Sequence, residues 1–269
     1  MGDGFLAGVC PQYDVSESDT QSYDIEPGNV PPELPGSVRV GEDIEETLDM
    51  VAADLFVQSQ NCVGQFGDFH LALSHGLIQE RLMIKLMIDP KYRSMPWSQT
   101  HLWSVSEGLV APDHVEHSMT HWHQIAADAG GIPAGQLHRI QAHIPEGAIS
   151  YNRELTEHLE WRERGHDRID FVLLGTDRAD IKGFDDPTGQ LVGFAPCGAK
   201  IGLTRRLISG SRFVGIVGIG AQGRTLVDEF SGENSQESQL IGVSPSGGVL
   251  RWYLDGYACH HTSEVEEQL

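Results

Sequence analysis

The stretch Ile169–Leu174 is apolar at every position but Asp170, and it stops at Gly175. Such a run, ended by a turn residue, reads as a buried strand. "FVGIVGI" (213–219) has the same character, and a helix is expected after it over residues 221–230. Strands apolar on both faces cannot lie at a wet surface, so helices must cover both sides of their sheet. That requirement governs how the rest of the chain can be read.

The remaining segments supply those helices. "SVRV" (37–40) is a short strand, and Ile44, Leu48, Val51, Ala52, Leu55 and Phe56 then share one helical face. "DFHLALS" (68–74) is a strand, "LIQERLMIKLMI" (77–88) a helix and "HLWSV" (101–105) a strand. "SMTHWHQIAADAGG" (118–131) reads as a helix closed by paired glycines. Ala148, Tyr151, Leu155 and Leu159 mark another helix, "QLVGFA" (190–195) follows the 175–186 loop, and "VLRWYLD" (249–255) is the last strand. Strands alternating with helices predict an α/β fold with a mainly parallel sheet. Residues 1–36 are acidic and rich in Ser, Pro and Gly, so they read as an arm outside the core, with the α/β domain over 37–269. A chain starting at Gly36 is expected to fold unaided.

Charge narrows the function classes. Asp and Glu outnumber Lys and Arg by 39 to 18, for a net charge of −21. This argues against nucleic acid or an anionic membrane as partner. An anionic ligand would need a local basic pocket, and only Lys85, Lys91, Lys182 and Lys200 are lysines. Cys10, Cys62, Cys197 and Cys259 form no CxxC pair and read as separate reduced thiols. The first residues, "MGDGFLAGVCPQ", make a poor signal peptide, and no run of about 18 apolar residues occurs. The expected location is cytoplasmic.

Read in order, "FHLALSHG", "LWSVSEGLVAPDHVEHS", "IDFVLLG", "KIGLTRRLISGSRFVGIVGIGAQGRTLVDEF" and "LRWYLDGYA" resemble the successive motifs of the 6-phosphogluconolactonase family, relatives of glucosamine-6-phosphate isomerases. The match covers roughly residues 37 to 258. The resemblance implies a single three-layer α/β domain with a modified doubly wound sheet. It also implies hydrolysis of a sugar-phosphate lactone, 6-phosphogluconolactone in the pentose phosphate pathway, and no cofactor.

Transferred residue by residue, the resemblance keeps the scaffold better than the site. The phosphate loop is Ser74, His75, Gly76, Leu77, Ile78, Gln79, with His75 in place of a glycine. Of the acidic signature Glu107 remains, and His117 stands where the family has a serine. Gly175 opens the catalytic loop, but Ile181 occupies the place of the general-base histidine, between Asp180 and Lys182. Lys200 replaces an arginine, and Arg224 lies one place beyond the family's cationic position at Gly223. The candidate catalytic residues are therefore His75 and Asp180. Ser74, Gly76, Glu107, His117, Gly175, Lys182, Lys200 and Arg224 are the candidate substrate contacts.

Histidines also gather at His114, His117, His121 and His123, but without the HExxH pattern of a zinc site, and no metal is assigned to them. Two readings follow: a sugar-phosphate lactonase with a rearranged site, or an impaired relative that binds a sugar phosphate, a sugar acid or a protein. Convergence of His75, Asp180, Lys182, Lys200 and Arg224 on one cleft would favour the first.

Overall fold

A computed structural model of the chain describes residues 31–110, 131–159, 168–185, 189–195, 199–231 and 247–259. Seven strands form one sheet: β1 (Ser37–Gly41), β2 (Phe69–Leu73), β3 (Thr100–Ser104), β5 (Leu137–His138), β6 (Phe171–Leu174), β9 (Phe213–Gly218) and β10 (Val249–Asp255). Their order is β1-β10-β9-β6-β2-β3-β5, and every pairing is parallel. Three short strands, β4 (Ser106–Gly108), β7 (Val192–Phe194) and β8 (Lys200–Leu203), make a separate antiparallel sheet.

Pleating sorts the central strands into two cores. Phe69, Leu71, Leu73, Phe171, Leu173, Phe213 and Tyr253 face α1 (Ile44–Phe66) and α2 (Leu77–Ile88). Ala72, Trp103, Val172, Leu174, Val214, Ile216 and Trp252 face the other way. There they meet α3 (Gly147–Leu159), α4 (Arg178–Lys182), α5 (Arg205–Gly210), α6 (Gly220–Phe230) and residues of the small sheet. The domain is therefore three-layered, as expected.

Local chemistry fixes the elements. Asp43 caps α1 by accepting the Glu46 N–H, and Gly67 ends it in the left-handed region at φ 92°. The one polar residue in the apolar run, Asp170, is fully buried yet satisfied. It accepts the His70 N–H at 2.8 Å and the Arg212 Nε–H at 3.2 Å. At the amino side, Leu34 packs on the core and the Pro35 carbonyl accepts the Trp252 indole N–H at 2.8 Å.

The chain runs outward from β2 through β3 to β5 on one side, and from β6 through β9 to β10 on the other. β2 and β6 are neighbours, so the winding reverses between them. In such sheets ligands bind outside the carboxyl ends of the strands at that reversal.

Candidate functional site

A cleft of about 560 Å³ opens at this point. His75, Gly76, Leu77, Ile78 and Gln79 line one wall, Gly175, Thr176 and Asp177 another, and Val217, Ile219, Ala221 and Gln222 the third. These are the segments leaving β2, β6 and β9.

Two walls are helix starts. α2 begins after Gly76 and α6 after Ile219, and neither of these N-cap residues makes a side-chain cap, although Asp255 takes the first N–H of α6. First-turn N–H groups have no partner within their own helix, and the helix dipole adds partial positive charge. Two such ends on one cleft make an environment for an anion. Asp255 takes the Gly220 N–H on both carboxylate oxygens at 3.1 Å, which anchors the start of α6.

Gln79 shapes the floor. Its side chain is 2 % exposed, and its Nε2 has no hydrogen-bond partner among the described residues. A Cβ on Gly76 would meet its Oε1 at 2.6 Å, and a Cβ on Gly175 its Nε2 at 2.7 Å. The carboxamide thus needs both glycines, and Gly76 also has φ 158°.

Behind Asp177 lies a charged group. Lys200 Nζ is 2.5 Å from Asp177 Oδ2. Burial pushes the Asp177 carboxyl up, but the Lys200 hydrogen bond and charge, with the N–H groups of Ala179 and Asp180, outweigh this and hold it below its usual range. Burial depresses Lys200, yet Asp177, Asp180 and Glu107 together raise it. Asp180 is 2 % exposed, and burial with the nearby Asp177 charge moves its carboxyl up to about 6, offset in part by Ser106, Lys200 and Ser74. Its Oδ1 and the Ser74 hydroxyl both lack a well-formed hydrogen bond, so those serines satisfy it incompletely.

Of the residues singled out in the sequence, the structure brings His75, Gly76 and Gly175 to the cleft wall. Ser74, Glu107, Asp180 and Lys200 gather behind it. Lys182 and Arg224 do not join them, so the five residues expected to converge on one cleft do not all do so. The Lys182 carbonyl accepts Arg205 Nε–H at 3.1 Å, away from the cleft lining. Arg224 stacks 4.6 Å over the Tyr257 ring and donates to the Tyr257 carbonyl at 2.8 Å. Gly223 has a packing reason for lacking any side chain: a Cβ there would lie 2.4 Å from the Gly218 carbonyl carbon. Ile181 is fully buried in the core. His117 and the 114–123 histidines lie outside the described residues.

Sequence reading named Gln79 and Arg178 only as loop members without a role, and passed over Thr176 and Gln222. Arg178 lines a smaller cavity of about 240 Å³ that shares Thr176 and Gln222 with the cleft, and it pairs with Glu229 at 2.7 Å. The available signal was position, since each lies within a few residues of a strand's carboxyl end.

Comparison with known proteins bears on the family and the fold. The family described as glucosamine-6-phosphate isomerases/6-phosphogluconolactonase matches residues 42–177. The human GDH/6PGL endoplasmic bifunctional protein is 26 % identical over 238 residues, covering 78 % of this chain and 28 % of its own. The chain thus spans under a third of that relative's length. A probable chloroplastic 6-phosphogluconolactonase 3 of Oryza sativa subsp. indica is 25 % identical over 251 residues, covering 83 % and 74 %. In fold, the chain is similar to 6-phosphogluconolactonase from Thermotoga maritima (TM-score 0.66, 17 % identity, 81 % of this chain and 99 % of that one). It is also similar to the enzyme from Trypanosoma cruzi (TM-score 0.67, 15 % identity, 87 % and 99 %).

Proposed function

Because the chain belongs to the family of glucosamine-6-phosphate isomerases and 6-phosphogluconolactonases, we propose that it hydrolyses a sugar-phosphate lactone, 6-phosphogluconolactone first, in this cleft. The observation that carries the reading is the uncapped start of α2, facing with the start of α6 one cleft that has His75 on its wall. The first-turn N–H groups of α2, with those of α6 beyond the Gly220 N–H that Asp255 holds, suit the phosphate, and Arg178, paired with Glu229, lies next door. His75 is the general base that draws a proton from water as it attacks the lactone carbonyl, the role for which Ile181 has no chemistry. Lys200 keeps Asp177 ionised and charge-balanced, which limits its repulsion of the phosphate.

A second reading rests on Ile181 and Asp180. The first is fully buried and the second enclosed, and Asp177, the loop carboxylate on the cleft wall, is tied to Lys200 and held below its usual range, so the loop offers the cleft only a weak base. A protein that binds a sugar phosphate without turnover fits that observation. A coupled assay with fresh lactone and the spontaneous rate subtracted separates the two. The expected result is turnover about 10²- to 10⁴-fold below that of a relative with the loop histidine, and lost in His75→Ala. No turnover above the spontaneous rate sinks the lactonase reading. Calorimetric binding of 6-phosphogluconate would then leave the second standing.

A further inference from the structure

Away from the cleft, on the β3–β5 edge of the sheet, the chain gathers histidines from three distant segments. His101 comes from β3, His138 from β5 and His158 from the last turn of α3. One ring nitrogen from each lies within 4.8 Å of the other two. His101 Nδ1 is 2.9 Å from His138 Nε2, and their ring planes are within 9° of parallel. The His158 ring centroid is 4.8 Å from that of His138 and 5.4 Å from that of His101.

The outward nitrogens are already engaged. His138 Nδ1 lies 2.5 Å from Glu154 Oε1, and His158 Nδ1 lies 2.8 Å from the Glu154 carbonyl oxygen. Metal-bound histidines characteristically donate their second ring N–H to a carboxylate or a backbone carbonyl, which fixes the tautomer and aims the other lone pair inward. One residue, Glu154, supplies both partners here. That leaves His138 Nε2 and His158 Nε2 as the ligating atoms, with His101 Nδ1 facing the former. His70 stacks on the same group at 4.6 Å from His101, but its Nδ1 accepts the Trp103 indole N–H and its Nε2 faces Asp68. It therefore belongs to the support and not to the ligand set.

We propose that His101, His138 and His158 bind a divalent transition-metal ion, zinc foremost, oriented by Glu154. Three imidazoles suit zinc, and water completes its tetrahedron. Bonds of about 2.0–2.1 Å set ligand nitrogens about 3.3 Å apart, so the 2.9 Å pair opens by a few tenths of an ångström and the wider separations, up to 4.8 Å, close by about 1.5 Å at most. Three metal–nitrogen bonds form. The proton on His101 Nδ1 moves to its Nε2, so no net charge leaves the protein. His138 is 1 % exposed while His101 and His158 are half-buried, which leaves the ion a route in. The ion would tie β3, β5 and α3 together.

The test is zinc chloride titrated calorimetrically into the full chain, purified without a histidine tag and stripped by a chelator. One tight equivalent is expected, weakened about 100-fold in His158→Ala and about 10- to 100-fold in Glu154→Gln. The Glu154→Gln protein should keep the metal-free melting temperature. Replacing His114, His117, His121 and His123 together by alanine should leave the equivalent in place. Cobalt(II) bound to the unsubstituted chain should show the visible absorption of a tetrahedral site, a readout independent of how any variant folds. Absence of that band, absence of a zinc equivalent, or an equivalent lost in the quadruple variant and kept in His158→Ala overturns the assignment.

Discussion

Lys200 and Asp177 join the small antiparallel sheet to the loop after β6, through a 2.5 Å contact between Nζ and Oδ2. The pair is part-exposed, so its direct worth is modest. Its larger effect is to offset three carboxylates, those of Asp177, Asp180 and Glu107. Lys200→Met should therefore cost about 1 kcal/mol or less at pH 5, where acid already relieves the repulsion, and more at pH 8. Thermal midpoints of both proteins at the two pH values check this; an equal loss at each would contradict it.

Asp180 gives the opposite dependence to an ordinary carboxylate. Its folded value of about 6 lies above the ordinary 3.8, so the folded chain holds a proton that the unfolded chain has released. Stability from this residue is present below about pH 4 and is lost as pH rises through 6, by up to about 3 kcal/mol. Asp180→Asn should remove that falling limb. Urea midpoints at pH 4.5 and 7.5 should show the variant gaining on the parent at the higher pH; the reverse order would refute the assignment.

Gly223→Ala should destabilise by about 1–3 kcal/mol, because the new methyl meets β9 backbone and not a side chain that can turn away. The readout is urea unfolding. An unchanged midpoint would mean that α6 can slide along the sheet.

The amino-terminal arm should divide at its end. Removal of residues 1–30 is expected to leave the melting temperature of the domain unchanged. Removal of residues 1–36 takes away Leu34 and the carbonyl that accepts the Trp252 indole, and an unpaired buried N–H costs about 1–3 kcal/mol. Equal melting temperatures for the two truncated chains would show that the Pro35 contact adds nothing.

How much could be read in the residues depended on the distance over which each feature is decided. "LIQERLMIKLMI" and "VLRWYLD" fold over their full lengths as a helix and a strand, since periodicity is local. Residues 178–182 read as loop but form a helix whose Asp177 cap accepts the Ala179 N–H. A single turn is too short to show a period. The β4–β8–β7 sheet was illegible for the same reason, with strands of three or four residues. In the cleft, the glycines and His75 were visible because they sit beside strand ends. Gln79 was not, because its role depends on Gly175, which arrives from another strand. The 114–123 histidines stand out by density, whereas His101, His138 and His158 are scattered along the chain and meet only through β3–β5 pairing and the return of α3.

The pairing of β1 with β10 sets a timetable for synthesis. Ser37 bonds Arg251, 214 residues further on. At about 5–20 residues per second, the first strand waits about 10–40 s on the ribosome for the partner that seats it. In the last few seconds of that interval, about 2–7 s between residues 218 and 255, β9 also presents an uncapped edge, and such edges recruit stray strands. The interval before residue 255 emerges is then the period of greatest need for a chaperone, and slowing elongation late in the message should lower the yield of native protein more than slowing it early.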